Sequence, residues 1–211
     1  MLTVALPKGR MLDRLVALFQ RAGVDASRID AADRRLVVTG GSVRFLICRA
    51  ADVPTFVEYG AADVGVAGKD VLWETGHDVA ELLDLRLGRC EMVVAVRKRS
   101  GIEHVTQLGF NSRVATKYPR VAARYFREHG IQVDVIPLHG NIELAPLVGL
   151  ADAVVDLTET GRTLRENDLT PIATIGVSTA RLIGNRVRYK LQYERIEALT
   201  AALREGMGNR G

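Results

Sequence analysis

Residues 143–164 read Glu-Leu-Ala-Pro-Leu-Val-Gly-Leu-Ala-Asp-Ala-Val-Val-Asp-Leu-Thr-Glu-Thr-Gly-Arg-Thr-Leu. The first half has the spacing of an amphipathic helix that stops near Gly149. Ala153 to Leu157 then forms an apolar run of a length suited to a buried strand. Asp156, Thr158, Glu159, Thr160, Gly161, Arg162 and Thr163 follow, and a helix starts within them. A strand feeding such a loop suits a sugar phosphate. Backbone N–H groups at a helix N-terminus favour an anion, and Gly161 lets the backbone come close to it. Thr158, Thr160 and Thr163 can donate to phosphate oxygens. Asp156 and Glu159 repel phosphate; they make sense there as acceptors for vicinal hydroxyls, as in ribose, or as holders of a hydrated magnesium ion. The plainer alternative is an ordinary strand-to-helix turn with a threonine cap.

The agreement extends beyond a turn. The stretch resembles the signature of the ATP phosphoribosyltransferase family, the first enzymes of histidine biosynthesis. That pattern is a glutamate, a spaced glycine, a small residue, an apolar-x-Asp-apolar strand end, then Thr/Ser-Gly-x-Thr-Leu. Glu143, Gly149, Ala151, Val154, Asp156, Leu157, Thr160, Gly161, Thr163 and Leu164 occupy its fixed positions.

The chain has 211 residues, enough for one large or two small domains with an ample core. A hydrophobic share of 47% with 26% charged residues is ordinary for a soluble globular protein. No run approaches ~18 uncharged apolar residues, so no membrane span is expected. The opening Met-Leu-Thr-Val-Ala-Leu-Pro-Lys-Gly-Arg puts charge after a short apolar run, the reverse of an export signal, and a cytoplasmic location is expected. Cys48 and Cys90 read as small buried hydrophobes in a reducing compartment. His77, His104, His129 and His139 are scattered, so no metal cluster is expected. The net charge is +4, with 24 arginines to five lysines. Composition bias accounts for most of these arginines, and a mild positive excess helps draw anionic substrates. There is no aromatic-interleaved basic patch, and nucleic acid is not expected as a partner.

In chain order, Leu2 to Leu6 reads as a strand, Pro7-Lys8-Gly9-Arg10 as a turn, and Met11 to Ala22 as a helix ended by Gly23. A cationic, glycine-containing turn at the C-terminal end of a strand is where open α/β sheets place ligands. Leu36 to Thr39 and Val43 to Cys48 read as a hairpin through Gly40-Gly41. Asp52 is expected to cap the next helix, with Pro54 in its first turn. Asp63 to Ala67 is a buried strand before Gly68-Lys69-Asp70. The recurring strand, small-residue turn and helix imply α/β architecture with a parallel sheet. Glu91 to Val96, Arg113 to Thr116, Val133 to Ile136 and Ile172 to Gly176 read as further strands, and Val121 to His129 as a helix. Thr179 to Ile183 and Arg186 to Tyr189 look strand-like. Leu191 to Leu203 is the last helix, and Gly206 to Gly211 has little to bury.

The resemblance covers about residues 4 to 190. It extends to Lys8 to Arg10, Arg34, Arg49, Glu58 to Asp70 and Ala115 to Pro119. It implies a two-lobed, periplasmic-binding-protein-like (type II) fold with mixed sheets, helices on both faces and an active-site cleft between lobes. Residues 1–90 plus 178–211 form the first lobe on this reading, and 91–177 the second. The chain resembles the short form of the family, which lacks a histidine-sensing domain. A homodimer within a hetero-octamer is implied, built with a regulatory subunit like histidyl-tRNA synthetase.

The implied reaction joins ATP to 5-phosphoribosyl 1-pyrophosphate (PRPP). Adenine N1 already carries a free lone pair, so orientation and charge are the harder tasks. Arg10 and Arg34 are the expected catalytic cations on the leaving pyrophosphate, since the guanidinium fork grips phosphate oxygens bidentately. Lys8, Gly9 and Arg49 are assigned to ATP or pyrophosphate, with Asp70 as a further candidate. Thr158, Thr160, Gly161, Arg162 and Thr163 are assigned to the 5-phosphate, and Asp156 and Glu159 to the ribose hydroxyls. Glu143 is a candidate for the site or equally a structural acceptor. Magnesium is expected to arrive mainly with the substrate rather than in a protein cage. The competing readings are a solute-binding protein of the same fold, a phosphoribosyltransferase for another base, and a non-catalytic subunit.

Overall fold

A computed structural model of the chain describes residues 1–29 and 35–208. Arg34, one of the expected catalytic cations, lies outside the described residues. The chain divides into two compact units. Unit 1 comprises Met1–Leu72, Gly76–Gly88 and Thr179–Gly211; unit 2 comprises Trp73–Thr75 and Arg89–Ser178.

In unit 1, β1 (Leu2–Pro7) is buried along its whole length and is the strand from which the sheet is built. The sheet order is β2 (Val37–Gly40), β3 (Val43–Cys48), β1, β4 (Val64–Gly68), β11 (Ala180–Gly184), β5 (Ala80–Asp84). β1 runs parallel to β3 and β4, whereas β2, β11 and β5 join through antiparallel ladders. The sheet is therefore mixed rather than parallel. α1 (Leu12–Arg21) and α8 (Tyr193–Gly208) cover one face, where Phe19 meets Phe45 edge-on with ring centroids 5.7 Å apart. α2 (Val53–Glu58) covers the other face through Val53 and Val57. Gly65 is what lets it settle there: a Cβ at that position would come 2.8 Å from methyls of both valines.

Unit 2 holds the order β10 (Leu169–Ser178), β6 (Cys90–Arg97), β9 (Ala153–Thr158), β7 (Arg113–Thr116), β8 (Asp134–Pro137). β7 is parallel to β8 and β9, and β6 is antiparallel to β9 and β10. α4 (Pro119–Glu128) buries Val121, Ala122 and Phe126 on one face. Ile142, Ala145 and Leu164 pack on the other, carried by the short helices α5 (Leu144–Leu147) and α6 (Arg162–Glu166) and the loop before α5. α3 (Lys69–Thr75) ends within unit 2, where Trp73 packs against its core and Glu74 accepts from the Arg120 and Val121 N–H groups. That carboxylate supplies the α4 N-terminus with the cap its own Tyr118 does not provide.

Several local expectations differ from the structure. Arg186 to Tyr189 is not a strand but lies in α7 (Arg186–Leu191). Its alternating Arg-Val-Arg-Tyr pattern is overridden by Asn185, whose side chain accepts from Val187 N at 3.0 Å and Arg188 N at 2.8 Å. Asp52 makes no capping bond; the chain passes through a 3-10 turn, Ala50–Asp52, before α2. The expected helix before Gly149 is a single turn. β5, Ala-Glu-Leu-Leu-Asp, is a strand where no element is expected from the sequence; β11 offers it a ladder. α8 runs on to Gly208, because Gly206 is buried against α1, with Arg21 Nε donating to its carbonyl at 3.1 Å.

Candidate active site

In unit 1 the parallel strands end together. Pro7 of β1 pairs with Cys48 of β3, and Lys8 N donates to the Cys48 carbonyl at 2.7 Å, so Lys8 sits beside Arg49. The register of β1 with β4 carries Gly68-Lys69-Asp70 to the same sheet end. Lys8, Gly9, Arg10, Arg49 and Asp70 thus gather where an open sheet presents its strand C-termini. Gly9 has φ +110°, with open space where a Cβ would stand, and Leu12 N closes the turn on its carbonyl at 2.9 Å. Lys8, Arg10 and Arg49 are exposed, and none forms an ion pair among the described residues. Cations held without carboxylate partners are ready for an anionic ligand. Asp70 folds back over Gly68. Cys48 is no nucleophile: burial pushes its thiol up to about 11, and the Asp52 charge adds to that.

In unit 2, β9 delivers the loop. Gly161 adopts φ +71° at the N-cap of α6, and its N–H donates to Thr158 Oγ1 at 2.8 Å. Arg165 Nη1 donates to the Thr160 carbonyl at 2.9 Å, and Arg162 Nε pairs with Glu166 at 2.7 Å. Glu159, Thr160, Arg162 and Thr163 are exposed, and Thr158 and Gly161 are half-buried. No threonine caps α6, as the plainer alternative would have it; the left-handed glycine stands at its N-cap, with Thr158 bracing the turn from within.

Asp156 is the group whose environment is most telling. It is half-buried, and burial pushes its carboxyl above the ordinary value. The Leu157 N–H, 2.8 Å from Oδ1, opposes this; repulsion from Glu143 adds to it, and Lys117 pulls the other way. Glu143 and Lys117 therefore stand in the electrostatic field of Asp156, and Lys117 was not among the expected site residues. The cue was available: Lys117 follows β7 directly, and β7 lies beside β9 in parallel. Buried Thr116 orders that turn, donating to the Val155 carbonyl at 2.7 Å and accepting from Tyr118 N at 2.9 Å. Among the described residues no group of three or more His, Cys, Asp or Glu is placed to hold a metal ion. None of their helices is long and apolar enough to cross a membrane.

Comparison with known proteins assigns these halves to one lineage. The family model described as HisG: ATP phosphoribosyltransferase matches residues 49–205. An ATP phosphoribosyltransferase of Moorella thermoacetica is 50% identical over 217 residues, covering 100% of this chain and 95% of that protein. The solved ATP phosphoribosyl transferase (HisG:HisZ) complex from Thermotoga maritima has a chain 35% identical, with a TM-score of 0.85 and 99% of each chain covered. The periplasmic aliphatic sulphonate binding protein SsuA of Escherichia coli shares the fold at 15% identity, with a TM-score of 0.64 over 98% of this chain and 72% of that one.

Proposed function

The chain belongs to the ATP phosphoribosyltransferase family, and we propose on that premise how its residues divide the work of the first step of histidine biosynthesis. The reaction joins ATP, through adenine N1, to C1 of PRPP and releases pyrophosphate. Membership of this family replaces the solute-binding reading, which rested on fold alone. Unit 1 holds the triphosphate or the departing pyrophosphate on Lys8, Arg10 and Arg49, with Arg34 as a further cation. Unit 2 cradles the 5-phosphate with the N–H groups and hydroxyls of Thr158 to Thr163, while Asp156 and Glu159 accept from the ribose hydroxyls.

The observation that supports this division is the pairing of chemistries. Unpartnered cations stand at the β1 and β3 ends, and hydroxyls with carboxylates stand in the loop after β9. No strong base is required, because N1 attacks with its own lone pair. As the C1–O bond breaks, negative charge accumulates on pyrophosphate, and cations aimed at it stabilise the transition state more than the ground state. Holding two substrates in line is worth roughly 7–11 kcal/mol. Magnesium would arrive with the pyrophosphate and supply charge neutralisation there; Asp156 and Glu159 would offer carboxylates to it rather than a closed cage. We further propose the short, regulated form, working in the cytoplasm as a homodimer within a hetero-octamer with a histidyl-tRNA-synthetase-like subunit, a reading supported by the HisG:HisZ complex of the Thermotoga relative.

The test is a product assay with ATP, PRPP, magnesium and pyrophosphatase, reading phosphoribosyl-ATP by absorbance and mass. Arg10→Ala and Arg34→Ala should lower kcat far more than they weaken PRPP binding, and Thr160→Ala should mainly weaken PRPP binding. PRPP binding without product from ATP would shift the reading to another base. Normal kinetics in all three variants would remove these residues from the site.

A further inference from the structure

No side chain of α7 is fully buried; Tyr189 is half-buried against the unit 1 core and the others are exposed. Val187 is 65% exposed and Leu191 72%, one turn apart on the same side of the helix; Tyr193, at the elbow into α8, is 54% exposed. The C-terminal end of α2 adjoins them. Asn185 Nδ2 donates to the Val57 and Glu58 carbonyls at 2.9 Å, and a Cβ at Gly60 would come 3.8 Å from Arg188 Nε. This brings Tyr59, 81% exposed, next to the same surface. Single exposed apolar side chains are ordinary; several on one short segment mark an interaction site.

This segment is also held rigidly. Beyond the Asn185 cap, Arg186 Nε donates to Asp78 at 2.6 Å, Gln192 Nε2 to buried Asp63 at 2.7 Å, and Tyr189 Oη to Glu197 at 2.8 Å. Helices of this length ordinarily persist by burying an apolar face. Here polar bonds and the half-buried ring of Tyr189 fix the helix while Val187 and Leu191 point to solvent, a surface with little ordering left to lose on binding. A groove of about 540 Å³ lies along Lys190 to Arg195.

The charge of the surface selects the partner. Of the cations in residues 186–195, Arg186 pairs with Asp78 and Arg188 lies 3.8 Å from Asp63, which leaves Lys190 and Arg195 against one Glu194. Lys190 and Arg195 have no ion pair among the described residues. A second copy meeting this face with its own would bring like charges together, since a two-fold contact uses the same patch twice. We infer that the α7–α8 elbow, residues 186–195 with Tyr59, is the docking surface for a different protein chain that presents an apolar patch rimmed by carboxylates. This rests on the hetero-oligomeric reading above and gives that partner its seat on unit 1. The apolar side chains supply the buried centre of the contact, and the cations supply its rim, steering and register.

The experiment uses the full chain and the histidyl-tRNA-synthetase-like subunit of the same organism, mixed and followed by sedimentation velocity over a salt series. Val187→Asp/Leu191→Asp should weaken the complex at least about 100-fold, as loss of a buried hot spot does. Lys190→Glu/Arg195→Glu should weaken it roughly 10-fold at low salt and flatten its salt dependence. Both variants should keep the wild-type homo-oligomeric state, thermal stability and unpartnered transferase rate, because these side chains are exposed and α7 leaves the unit 1 sheet at the end away from Lys8, Arg49 and Asp70. Wild-type affinity in both variants would overturn the inference. Dissociation of the homo-oligomer instead would make the elbow a self-contact and overturn it equally. A wild-type chain that never binds the subunit would sink the hetero-oligomeric reading together with this surface, whereas transferase activity is measured separately.

Discussion

Asp156 meets opposing demands. In its proposed role the ribose hydroxyls need an ionised acceptor, yet burial and the neighbouring Glu143 raise its carboxyl above the ordinary value. A raised folded-state value favours the fold with the proton on, and that contribution is lost as pH rises through it. Asp156→Asn should therefore melt at a higher temperature than wild type at pH 7, with the gain shrinking as pH falls and wild type protonates. PRPP affinity should drop roughly 10- to 100-fold, the loss of one charged hydrogen bond worth about 1.5–3 kcal/mol. Calorimetry across pH and a PRPP titration check both halves; a lower melting temperature at pH 7 would refute the first. Glu58 illustrates the opposite sign. Its Oε1 accepts from Asp78 N at 2.7 Å and Oε2 lies 2.6 Å from His77 Nδ1, and these bonds hold its carboxyl below the ordinary value. That stability is present above the ordinary value near 4.5 and disappears as pH falls through the lowered one. Glu58→Gln should destabilise the chain at pH 7 and match wild type in strong acid, as read by melting curves at each pH.

Among the elements, α4 separates what is local from what is not. Its buried stripe of Val121, Ala122 and Phe126 is legible from spacing, and Pro119 marks its start. Its cap is not legible, because Glu74 reaches it from 46 residues away. Glu74→Ala should cost about 1–2 kcal/mol, the usual price of an N-cap, or roughly 2–8 °C in melting temperature. The KM for PRPP should hardly change, and an unchanged melting temperature would dismiss the cap. The same division runs through α7 and β5. The former alternates like a strand and is a helix because Asn185 caps it; the latter has no strand alternation and is a strand because β11 pairs with it.

For the molecule as a whole, a positive excess faces two polyanionic substrates. The net charge is +4, and the free cations Lys8, Arg10 and Arg49 stand exposed. Screening shortens the reach of such charges to about 10 Å at 0.1 M salt. The KM values for ATP and PRPP should rise severalfold between about 50 and 300 mM salt, with kcat changing less, because screening acts on encounter before it acts on buried contacts. Steady-state kinetics over a salt series decide this, and flat KM values would count against cationic capture.

By itself the sequence determined the α/β class, the chemistry of the loop from Asp156 to Thr163, and the cationic turn at Lys8 to Arg10. Each of these is written in neighbouring residues, where periodicity, a glycine at positive φ or a run of hydroxyls acts over a single turn of chain. Tertiary structure alone decided which strands pair antiparallel, that Lys117 and Glu143 stand in the field of Asp156, and that Glu74 caps α4. It also decided that α7 is a helix that leaves Val187 and Leu191 in water. Those outcomes depend on strand pairing and on charges brought together from distant positions, and neither is encoded within any one segment.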